Sequence, residues 1–132
     1  MAAKKRKPPA KDWRARDISD WNATTFRAYL EEKHMERFGV PYARRCPIAA
    51  EAAMIKRMID EHGPATVRAF IDECFKQYKP NSRYPGVNFA FMQTYMSDCL
   101  QRVLKQKARE ERRKEREARQ ESQDMREIIE WL

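Results

Sequence analysis

The chain has 132 residues, a net charge of +8, and 36% charged against 42% hydrophobic residues. That length predicts a single domain, and no apolar run reaches the length of a signal-peptide core or a membrane span, so we expect a soluble protein with no membrane partner. The basic excess directs attention to anionic partners, nucleic acid first.

The excess is uneven. Residues 1–16 carry seven Lys/Arg against one acid, residues 17–100 carry eleven of each sign, and residues 101–132 carry ten basic against eight acidic. Residues 1–16 include Pro8-Pro9 and show no periodicity, which reads as a disordered basic tail. Lys4, Lys5, Arg6, Lys7, Lys11, Arg14 and Arg16 are its candidate phosphate contacts, and Trp13 is a candidate for stacking on a base. Lys4-Lys5-Arg6-Lys7 also fits a nuclear localisation pattern. A merely solubilising terminus is the plain alternative.

A first helix is expected over Asp17–Gly39, with Asn22 as N-cap, Trp21 and Phe26 placed as a hydrophobic staple, and Gly39 closing it in the left-handed conformation. A second should open at Pro47, carry Ile48, Ala52, Ile55, Met58 and Ile59 on one face, and close at Gly63. Pro64 then opens a third, striped by Val67, Phe70, Ile71, Cys74, Phe75 and Tyr78. Residues 79–86, with two prolines and a glycine, form an exposed loop. Its Lys79, Arg83 and Tyr84 make a second candidate nucleic-acid surface. Asn88 caps a fourth helix, whose apolar stripe ends at Leu104 although helix-forming residues continue to Leu132.

This describes an all-α chain: a tail over 1–16, a compact four-helix body over 17–104, and a long C-terminal charged helix over 105–132. Between Lys105 and Gln123 only Ala108 and Ala118 are apolar, so there is no coiled-coil seam and the arm reads as a spacer. Its Arg112-Arg113-Lys114-Arg116 cluster is a third candidate basic surface, weakened by interleaved glutamates. At the end, Met125, Ile128, Ile129 and Leu132 fall at i, i+3, i+4 and i+7, with Trp131 beside them. That is the pattern of a helix that docks in a groove of a protein partner; folding back on the body, or pairing with a second copy, are the alternatives.

No catalytic constellation, cofactor motif or metal-ligand spacing stands out. Cys46, Cys74 and Cys99 are too far apart for a zinc site and read as small buried hydrophobes in a reducing compartment. His34 and His62 lie near helix ends, where packing explains them better than catalysis. The short link at Gly63-Pro64 suggests a helix-turn-helix, but the helix after it opens with too few polar side chains to read bases.

Several packing positions carry a resemblance. They are Trp21, Phe26 and Tyr29; Phe38-Gly39 and Tyr42; the segment from Met54 to Ile59 closed by Gly63; Ile71 and Phe75; and Pro85-Gly86 leading to Phe91-Met92. In these the body resembles small helical replication-accessory proteins, helicase-loader-like, of bacterial phages and plasmids. The resemblance implies a role in handing a replicative helicase to DNA through a protein-docking helix. The expectation is therefore a non-enzymatic adaptor without cofactor or metal. It binds a protein through its tip and DNA through tail and loop, and it is cytoplasmic in a bacterial host or nuclear in a eukaryotic one. The second reading is a purely protein-binding or self-associating module.

Overall fold

A computed structural model describes residues 6–132, so Lys4 and Lys5 lie outside the described residues. Five α-helices follow a short 3-10 turn at Ile18–Asp20, and no strand occurs among the described residues. The helices are α1 (Ala23–Phe38), α2 (Ile48–His62), α3 (Pro64–Gln77), α4 (Phe89–Tyr95) and α5 (Ser97–Trp131). The all-α expectation holds, including the long C-terminal helix.

Local chemistry explains most boundaries. The Asn22 side chain accepts from the Thr25 amide, and the Thr25 hydroxyl accepts from the Asn22 amide, a reciprocal cap that satisfies two free donors of α1. Gly39 ends the helix at φ 70°. A single residue, Gly63 at φ 85° and ψ 156°, joins α2 to α3, a backbone setting that side chains resist; Pro64 follows at the first helical position. The expected first helix is split, since Trp21 and Asn22 are extended between the 3-10 turn and α1.

The fourth helix does not run straight into the arm. It breaks at Met96 (φ −120°, ψ 30°), and α5 restarts at Ser97. Thr94 Oγ1 donates back to the Ala90 carbonyl (2.9 Å), a bond that loosens a helix turn. The break lets Phe89 and Met92 on one segment and Met96 and Cys99 on the next all enter the core.

That core lies between α1, α2 and α3, capped by α4 and the first turns of α5. Phe26, Leu30, Ile55, Val67, Phe70, Ile71, Phe89 and Met92 have essentially no exposure. Burying an aliphatic or aromatic side chain of this size contributes about 1.5–3 kcal/mol. One charged group sits among them: Glu51 is fully buried, held by Arg27 Nε (3.3 Å) and by the Tyr42 hydroxyl (2.8 Å), which itself accepts from the Phe89 amide (2.9 Å).

The body also begins earlier than expected. The Asp12 amide bonds to the Pro9 carbonyl and the Arg16 amide to the Asp12 carbonyl, so this stretch is turned. Trp13 is 8% exposed and meets Trp21 and Tyr29 edge-on, at centroid distances of 6.0 and 4.9 Å. The part of the proposed disordered tail from Pro9 onward is therefore packed structure. An indole brings more apolar surface than any other side chain here, and its N–H finds a carboxylate at the rim.

Candidate docking tip and basic surfaces

The last side chain of α5 to reach the body is Lys107, 3.5 Å from the Thr66 hydroxyl at the start of α3. After Ala108 every residue is exposed. At 1.5 Å per residue, the helix from there to Trp131 projects roughly 35 Å from the body. The expected boundary after Leu104 falls one turn short of this point.

The tip residues all face solvent: Ile128 is 57% exposed, Met125 59%, Ile129 64%, Trp131 87% and Leu132 99%. Spacing brings Met125, Ile128, Ile129 and Leu132 onto one side of the helix, as expected, and none of them touches the body. A contiguous apolar face of this kind on a charged stalk is a candidate interaction surface.

The basic candidates fare unequally. Arg6, Lys7 and Lys11 are exposed, with Lys7 3.2 Å from Asp20. Trp13 cannot stack on a base: it is buried, its Nε1 donates to Glu32 (2.7 Å), and Arg14 lies over its ring at 4.2 Å. Arg14 pairs with Glu32 at 2.6 Å. Arg16 is half-buried, donating from Nη1 to Thr25 (3.4 Å), with a buried, unpartnered Nε. Trp13 is corrected from a base-stacking contact to part of the seam between the N-terminal segment and α1, which Arg16 and the still-exposed Arg14 border.

The loop candidates do form one surface. Asn81 Oδ1 accepts from the Arg83 and Tyr84 amides (3.0 and 2.8 Å), and the Tyr78 hydroxyl donates to the Tyr84 carbonyl (2.8 Å). Lys79, Arg83 and Tyr84 are thereby held on an ordered, exposed turn, with the Arg83 guanidinium 5.6 Å from the Tyr84 ring centre.

His34 is structural. Its Nδ1–H donates to the Val40 carbonyl (2.9 Å), and its Nε2 accepts from the Val87 amide (3.1 Å). Burial lowers its pKa, and the Val40 bond opposes that only in part. Cys74 and Cys99 are buried against each other, and burial raises both thiols, which disfavours the reactive thiolate. Cys46 is half-buried. Among the described residues, no group of three His, Cys, Asp or Glu side chains is placed to hold a metal ion, and no helix is long and apolar enough to cross a membrane.

Sequence reasoning missed the buried Glu51–Arg27–Tyr42 group. Glu51 interrupts the Ile48–Ala52–Ile55 face of α2 by one position, which is a faint signal at best. Trp13 had a clearer one, since an aromatic close to Trp21 can close over the same cluster. No protein-family model, curated protein or solved structure matches the chain.

Proposed function

We propose that this protein is a non-enzymatic helical adaptor that docks a protein partner through Met125, Ile128, Ile129, Trp131 and Leu132. The observation that carries the reading is the exposed apolar face at the end of a stalk that leaves the body at Lys107. A helix bearing an aromatic anchor suits an apolar groove on the partner. Asp124, Glu127 and Glu130 around the anchor favour a groove with a basic rim. In this reading nucleic acid is held by Lys4, Lys5, Arg6, Lys7 and Lys11 together with the Lys79, Arg83 and Tyr84 loop. A DNA transaction such as phage-type replication, in the cytoplasm of a bacterial host, is the setting suggested by the resemblance of the packing positions.

The test is capture from nuclease-treated host extract on the immobilised full chain, compared with the Ile128→Asp/Trp131→Asp variant. A protein retained by the first and lost by the second supports docking at the tip, and identical eluates refute it. Absence of any DNA binding at about 50 mM salt, where phosphate contacts are strongest, refutes the nucleic-acid half. The second reading, a protein-binding or self-associating module without nucleic acid, is favoured by the pairing of Lys7 and Arg14 with acids of the body. Mass measurement over a concentration series, with and without residues 120–132, separates a heterologous partner from a second copy.

A further inference from the structure

The arm's charges are partly sorted. At 3.6 residues per turn, Arg109, Arg112, Arg113, Arg116 and Arg119 fall within a sector of about 120°. They line one continuous strip of the helix surface, bordered by Glu115. Glu110, Glu111 and Glu121 lie on the other side, while Glu117 and Asp124 flank the strip beside Arg113. Bases and acids that alternate along the sequence are thus partly sorted round the helix. We propose that this arginine strip binds the phosphate backbone of a nucleic-acid duplex.

Three observations favour it over a solvated spacer. First, a spacer gains helix stability from opposite charges at i, i+3 and i, i+4. Here Arg109–Arg112, Arg109–Arg113, Arg112–Arg116, Arg113–Arg116 and Arg116–Arg119 are like-charge neighbours at those spacings. They outnumber the opposite-charge neighbours of the same arginines at those spacings, Glu110–Arg113, Arg112–Glu115, Arg113–Glu117 and Glu115–Arg119, and an anion on the strip would relieve their repulsion. Second, among the described residues the strip's only ion pair is Arg113–Glu117 at 4.0 Å, so the other four guanidiniums have no carboxylate within that distance. Third, the strip is unobstructed. Every residue after Ala108 is exposed, so the strip lies beyond the contacts that α5 makes with the body through Cys99, Arg102, Val103 and Lys107.

The dimensions suit a duplex. Arg109 to Arg119 spans roughly 15 Å of helix. With one phosphate per about 3.4 Å of duplex axis on each strand, a strip laid along that axis spans about four phosphates of one strand. Guanidinium forks match phosphate oxygens in pairs. A helix about 10–12 Å across also fits a major groove about 12 Å wide. A membrane surface fits less well, because Ala118 is the only apolar residue between Arg109 and Arg119 and the strip has nothing larger to bury in lipid. Further along the helix, Met125, Ile128 and Leu132 lie on the opposite side from the arginines, while Trp131 falls within the arginine sector. The aliphatic face and the arginine strip would then meet a protein and nucleic acid from different sides of one helix.

The strip shares no residue with Lys4–Lys7 or with the Lys79–Tyr84 loop, so it can be tested apart from those candidates. The experiment is fluorescence anisotropy of labelled duplex DNA, duplex RNA and a single strand with the full chain, between about 50 and 200 mM salt. Arg112→Gln/Arg116→Gln is compared with Lys107→Gln/Lys114→Gln, which removes the same charge from the other side of the helix. The arginine pair should reduce the steepness of the log–log salt dependence on duplex DNA by about 1.8, from about 0.9 per phosphate contact, with the lysine pair losing less than half as much. Circular dichroism should show helicity retained, since like-charge neighbours are removed. Arg112→Lys/Arg116→Lys should keep the wild-type salt slope. Stronger duplex than single-strand binding supports the proposal, and the DNA and RNA arms identify the polymer. Equal losses from both glutamine pairs, no loss from either, or arginine-dependent binding to phosphatidylserine vesicles without duplex binding would each overturn it.

Discussion

The imidazole of His34 occupies the space that a side chain at Gly86 would need. A Cβ added at Gly86 would overlap His34 Cε1 and Nε2. The close approach lets the Val87 amide reach His34 Nε2 at 3.1 Å, tying the loop before α4 to the buried face of α1. Gly86→Ala must displace a ring that is itself fixed to Val40. The expected cost is about 1–3 kcal/mol, as for overpacking elsewhere, read as a lower midpoint in urea unfolding.

The same histidine makes stability pH-dependent. Its native pKa lies below the ordinary 6.5, chiefly through burial, so near and below that pH the unfolded chain binds a proton that the native chain does not. Its contribution is complete above pH 6.5 and declines as the pH falls through and below that value. Protonation would also turn Nε2 from acceptor to donor, facing the Val87 N–H. Unfolding free energies across pH 5–8 should show this decline, and His34→Gln should flatten it.

Tyr42 and Tyr84 offer a matched pair. The Tyr42 hydroxyl donates to buried Glu51 and accepts from the Phe89 amide, whereas among the described residues the exposed Tyr84 hydroxyl has no partner. Tyr42→Phe strips a partner from a buried carboxylate and from a backbone N–H. It should cost about 2–3 kcal/mol, with Tyr84→Phe within about 0.5 kcal/mol of wild type, both measured by thermal unfolding.

Trp13 decides where the body starts. Trp13→Ala should destabilise by about 3 kcal/mol or more, as for other large aromatic truncations in cores. Removal of residues 1–7 should leave the melting temperature nearly unchanged, since the only side-chain bond described for that stretch is the exposed Lys7–Asp20 pair.

Helix identity was largely legible in the sequence because its signals are local. Asn22, Gly39, Gly63-Pro64 and Asn88 each act on the turn next to them, and each marks a boundary where it was expected. What escaped depends on distant partners. Trp13 reads as a tail residue until Trp21, Tyr29 and Glu32 are seen around it. The break at Met96 follows from two segments competing for one core, with no Gly or Pro to announce it. The tip was legible from its spacing alone, and so in principle was the arginine strip. Counting ten bases against eight acids, rather than placing them round the helix, concealed it.

Docking of the tip at Met125–Leu132 on another protein can be captured covalently. A photoreactive benzophenone side chain at position 132, in place of the 99% exposed Leu132, is irradiated with the full chain in host extract. The expected product is a discrete adduct with a different protein, lost when Ile128 and Trp131 are both replaced by Asp. Adducts formed only within the chain, or only between two copies of it, would contradict docking on a different protein.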